Sequence, residues 1–128
     1  MKDIKLPVIL AASIKAAIEG GAWIEVECVA DVVSSGNTHR GEWIIIVCNY
    51  QDGGIARAIY VINRQLRPRV FKTAAGIMTL ALEHKAKSFC CPLRKGEREI
   101  LRFETSKIPD NWHDLPSLMP KGPISNSH

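Results

Sequence analysis

The sequence has no Cys-x-x-Cys pair, no glycine-rich phosphate loop between a strand and a helix, and no G-x-S-x-G elbow. Each absence removes a class of chemistry. Without paired thiols and histidines at ligand spacing, Cys28, Cys48, Cys90 and Cys91 do not form an ordinary zinc site. Gly53-Gly54 follows Asp52 in a stretch that reads as a hairpin turn, not as a nucleotide cradle. The four histidines, His39, His84, His113 and His128, are scattered, and no nucleophile stands at a spacing that pairs it with one of them. The expectation is a protein without catalysis, metal or cofactor.

Long apolar runs are missing as well. None approaches the roughly 20 residues that cross a bilayer. Lys2 and Lys5 ahead of Leu6-Pro7-Val8-Ile9-Leu10 have the outline of a secretion signal, but Lys15 interrupts the run and no small-residue cleavage site follows. The expected setting is the cytoplasm, with all four thiols reduced.

What is present is an ordinary globular composition, 46% hydrophobic and 23% charged over 128 residues, enough for one core without staples. The periodicities predict an α+β domain over residues 1–104 and a Pro- and Ser-containing tail over 105–128. Pro7 to Glu19 reads as a helix with Leu6, Leu10, Ile14, Ala17 and Ile18 on one stripe. Ala22 to Val33 alternates, with Ile24, Val26 and Cys28 on one face and Glu25 and Glu27 on the other. Ser34 to Gly41 reads as a polar loop. Trp43 to Cys48 is apolar at every position, as in a strand covered on both faces. Ala58 to Ile62 returns as its hairpin partner, and Arg69 to Lys72 reads as a short third strand.

Thr73 caps a second helix to about His84. Ser88–Cys91 and Glu99–Phe103 complete an order α-β-β-β-α-β-β: a mainly antiparallel sheet of about five strands with two helices on one face. In the tail, Trp112, Leu115, Leu118 and Met119 form an apolar cluster among prolines. It either folds back over the domain or docks a partner.

Charge is uneven. Between Arg57 and Arg102 eleven Lys/Arg oppose three acids, a net +8, which leaves the remainder at −4. Such asymmetry favours a polyanionic partner. The densest group is Arg64, Arg67, Arg69 and Lys72, leading into a helix N-terminus whose free amides favour anions. Arg57 on the hairpin and Arg94, Lys95 and Arg98 in the later turn extend the candidate nucleic-acid surface, DNA before RNA. The alternative is an acidic protein surface, or a protein–protein module, self-associating or adaptor-like, that uses a sheet edge and the Trp112 segment.

The central hairpin, the basic turn and Arg69-x-Phe71-Lys72 before Ala74-Ala75 resemble small plasmid-borne partition-associated (ParC-like) accessory proteins. The resemblance spans about Trp43 to Leu82; Ala74-Ala75 stands where that family often carries Leu-Asp. It implies a non-catalytic maintenance or regulatory role on a bacterial mobile element.

Overall fold

The computed structural model describes residues 7–62 and 66–118. Its architecture is α+β: a five-stranded mixed sheet with two helices. The elements are β1 (Val8–Ile9), α1 (Ala11–Glu19), β2 (Trp23–Ser35), β3 (Thr38–Gln51), β4 (Gly54–Tyr60), α2 (Ala74–Glu83), β5 (Arg98–Leu101) and a 3-10 turn, Trp112–Asp114. The sheet runs β1-β4-β3-β2-β5, with three antiparallel pairings and a parallel one, β1 beside β4. No helix among the described residues is long and apolar enough to cross a membrane.

The β3–β4 hairpin closes as its turn residues require. Asp52 and Gly53 both have positive φ, 50° and 79°, the conformation of a type I′ turn whose twist matches the flanking strands. The first helix starts later than the periodicity predicts. Val8 and Ile9 are instead β1, opposite Ile59 and Tyr60, because an open edge of β4 offers β-branched residues a ladder that a helix start does not. The two later strands also differ. Ser88–Cys91 forms no strand, and residues 68–72 join the sheet through isolated bridges, Trp43 with Phe71 and Val61 with Pro68, rather than as a continuous strand.

Alternation sorts the strands onto two buried faces. On the first, Ile24, Val26, Cys28, Trp43, Ile45, Val47 and Leu101 meet Ile14 and Ile18 of α1 and Ile77, Leu80 and Ala81 of α2. On the second, Trp23, Ile46, Cys48 and Ile55 are covered by Ile108, Trp112 and Leu115. That cover explains why β3 is apolar at consecutive positions: helices lie over one side and residues 105–118 over the other.

The covering segment is tied down along its length. The Thr105 hydroxyl donates to the Ile18 carbonyl at the end of α1, and Ser106 Oγ to Ala22 O at 2.9 Å. Lys107 N reaches Gly21 O at 2.8 Å. Further on, Ile55 N donates to Pro116 O and Leu118 N to Ile55 O, each at 2.8 Å, so Ser117 lies parallel to the start of β4. Strand β4 therefore has β1 on the outer side of its second half and this strap on the outer side of its first.

Candidate nucleic-acid interface

The predicted cations separate into two groups. Arg57 and Arg98 lie on the strap-covered face, drawn to Glu25. Alternation assigns Glu25 to a solvated face, yet it is 1% exposed. Arg57 reaches across β3, past Cys48, to hold both carboxylate oxygens (Nε–Oε1 3.1 Å, NH2–Oε2 3.2 Å). Its remaining nitrogen donates to Ser117 Oγ of the strap. Arg98 adds a contact to Glu25 at 3.5 Å and one to Glu27 at 3.2 Å. Burial alone lowers the Arg57 pKa, but the hydrogen bonds and charge of Glu25 outweigh it and the net shift is upward. Both arginines neutralise a buried carboxylate; Arg57 is largely covered in doing so, while Arg98 stays exposed. The sequence carries no local signal of this, because Glu25 and Arg57 sit on strands two apart in the sheet.

The second group gathers at the opposite side of the strand ladder's far end. Residues 67–69 run antiparallel to Tyr60–Ile62 at the end of β4, and residues 71–72 continue beside β3. Arg69 N donates to Tyr60 O, Phe71 and Trp43 exchange both backbone bonds at 2.8 and 2.9 Å, and Gly41 N donates to Lys72 O at 3.2 Å. Phe71 is buried against Tyr60, ring centroids 6.2 Å apart. Arg69, two residues earlier on the same side, lays its guanidinium 4.7 Å from the Phe71 ring centre, a cation–π contact that fixes its plane. Arg67 and Arg69 are exposed. Lys72 pairs with Glu42 at 3.2 Å, both partners exposed. Thr73 then caps α2 through its hydroxyl oxygen, which accepts from Gly76 N. Arg64 lies outside the described residues, as does Met119.

On the other flank, residues 93–97 hug the outer side of β2. Val32 N donates to Leu93 O, Gly96 N to Cys28 O, Cys28 N to Glu97 O, and Lys95 N to Asp31 Oδ1 at 2.6 Å. These bonds hold Arg94 and Lys95 on an exposed turn. Between the flanks, β2 and β3 continue as a two-stranded arm, paired Val33 with Arg40, Ser34 with His39 and Ser35 with Thr38. The sequence reading takes Ser34 to Gly41 for a loop. Its polar residues hide the strand pattern; the two-residue centre Gly36-Asn37 is the signal that marks a hairpin tip.

Comparison with family models, curated proteins and solved structures gives no match.

Chemically, this end of the molecule offers guanidinium and ammonium groups with backbone-fixed positions on both sides of a protruding ribbon. Among the described residues no three His, Cys, Asp or Glu side chains gather to hold a metal. An open groove of about 700 Å³, lined by Val32, Val33, Trp43, Ala74, Cys91 and Leu93 among others, runs beside the arm. The tail cluster is elsewhere: Trp112 stands edge-on to Trp23 at 6.4 Å, Leu115 packs on the same core, and Leu118 crowds Gly54.

Proposed function

We propose that this protein is a non-catalytic accessory factor that binds nucleic acid through Arg67, Arg69, Lys72, Arg94 and Lys95. The observation that carries the reading is the shared location of the two cationic segments. One is anchored at Gly41 of β3 and the other at Asp31 of β2, neighbouring strands at the same end of the sheet. Cations on a common rim neutralise phosphates together and release their counterions, which gives salt-sensitive affinity. The Lys72–Glu42 pair does not oppose this, since an exposed ion pair is worth about 0–1 kcal/mol and exchanges readily for phosphate. The ParC-like resemblance around Arg69-x-Phe71-Lys72 adds the setting: plasmid maintenance or regulation in a bacterial cytoplasm.

The test is a fluorescence-anisotropy titration of duplex DNA, single-stranded DNA and RNA between about 50 and 200 mM salt. Affinity is expected to fall steeply across that range. Arg67→Glu with Arg69→Glu is expected to weaken binding at least about tenfold and flatten the salt slope. Unchanged binding by that double variant sinks the reading.

A second reading, a protein–protein module, rests on the outer surface of α2. Met78 and Leu82 are 43% and 71% exposed on a helix with one charged residue, Glu83. Its sheet-edge and Trp112 version draws less support, because the strap spends Trp112 and Leu115 on the protein's own core.

A further inference from the structure

The arm between the two cationic flanks is more than a connection. From Val33 to Gly36 it advances about 10 Å at roughly 3.4 Å per residue, and every residue from Val33 to Arg40 is exposed. No acid occurs in that stretch: Val33-Ser34-Ser35-Gly36-Asn37-Thr38-His39-Arg40 carries hydroxyls, an amide, an imidazole and a guanidinium. Val33 is the exception, an aliphatic side chain left 64% exposed directly opposite Arg40. A merely solvated hairpin tip has no use for it.

The flanks match the arm's width. Four chain segments lie side by side at its base: residues 93–97, β2, β3 and residues 71–72. Three strand spacings of about 4.8 Å separate the outer two, about 14 Å in all. The major groove of B-form DNA is about 12 Å wide and 8.5 Å deep, and admits a two-stranded ribbon. A ribbon of this reach, seated in that groove, brings Arg94 and Lys95 to one phosphate strand and Lys72 to the other.

We infer that the β2–β3 arm is a base-reading ribbon that enters the major groove of duplex DNA. This rests on the proposal that the cationic end binds nucleic acid, and specifies which form and by which element. Arg40 supplies the fork that fits guanine O6 and N7, Asn37 the amide that fits adenine, and Val33 an apolar surface for a thymine methyl. Ser35 and Thr38 share the face of Val33 and Arg40, while Ser34 and His39 occupy the other, their Oγ and Nδ1 2.6 Å apart. The A-form major groove is too deep and narrow for such a ribbon, so double-stranded RNA is a poor ligand.

The experiment uses the full chain. A randomised DNA duplex pool is selected on it, the preferred site is titrated beside an unselected duplex and the same site as RNA, and guanine N7 protection from dimethyl sulfate is mapped. Expected are a preferred site, at least about tenfold weaker RNA-duplex binding, and N7 protection within the site. Arg40→Ala is expected to lose about 10- to 100-fold on the preferred site, as for one bidentate base contact, with little change on the unselected duplex. Arg40 is exposed, so this variant keeps the fold. The N7 footprint needs no variant at all. Salt-sensitive binding with no site preference, no N7 protection and equal RNA affinity overturns the arm's role while leaving the cationic surface standing. Absence of binding at about 50 mM salt overturns both.

Discussion

Arg57 grips Glu25 through two oxygens at 3.1 and 3.2 Å, although β3 lies between their strands. The pair is a structural clasp. Glu25 is shut from water, Arg57 is nearly so, and Arg98 closes the exposed side. A buried pair contributes little over an apolar replacement of the same volume, but breaking it leaves a bare charge inside. Glu25→Ala is therefore expected to cost about 3–5 kcal/mol in urea unfolding. Glu25→Met together with Arg57→Met is expected to recover most of that loss. A Glu25→Ala cost below about 1 kcal/mol would show that the carboxylate is held no better than a surface one. The same clasp predicts that Arg57→Ala lowers stability and leaves polyanion binding intact once the melt is allowed for.

Gly54 marks where the strap meets β4. A Cβ built there falls 2.6 Å from Leu118 Cδ2 and 2.8 Å from Pro116 O. Leu118 can swing aside; the carbonyl cannot without losing its bond from Ile55 N. Gly54→Ala is expected to cost about 1–3 kcal/mol, as for overpacking elsewhere. It should also speed hydrogen exchange at the Ile55 and Leu118 amides far more than at those of β2. Equal protection of both amides in the variant would mean that residues 116–118 sit loosely on the edge and that the strap's hold lies in Trp112 and Thr105–Lys107.

Local pattern is enough to find the hairpin, the two helices and the α+β class. Trp43–Cys48 announces by itself that both faces of β3 are covered, and Asp52-Gly53 announces the turn. What lies over the second face is not local. Trp112 sits among prolines, with no periodicity to say that its ring meets Trp23 from 89 positions earlier in the chain. Glu25 shows the same limit: alternation separates it correctly from Ile24 and Val26, but cannot tell a solvated face from one roofed by a strap and two arginines. The interface divides along the same line. Arg67, Arg69 and Lys72 lie together because they are close in sequence. Their relation to Arg94 and Lys95 comes from the backbone bonds that seat each segment beside β3 or β2, and the arm between them is masked by its own polarity.

The thiols give a pH dependence whose sign can be worked out. Burial pushes the Cys91 thiol from 9.0 up to about 11, with neighbouring Cys28 and Cys90 adding to the effect. Burial likewise raises Cys28, Cys48 and Cys90. A group whose folded pKa exceeds its unfolded value holds its proton longer in the folded chain, so folding is favoured below the unfolded pKa and loses that advantage as pH climbs through the folded one. For Cys91 the window is pH 9 to about 11. Thermal stability is expected to decline across it, less steeply in Cys91→Ala than in the parent; the comparison removes the contribution of lysines titrating in the same range. Alkylation supplies the independent check, because only a thiolate reacts and access decides which one. Near about pH 8, exposed Cys90 should be modified first, half-buried Cys91 later, and Cys28 and Cys48 only on unfolding. Cys91 reacting as fast as Cys90, with a pH–stability curve unchanged by its removal, would place that thiol in water and detach residues 89–91 from the core that Phe89 and Cys91 help to close.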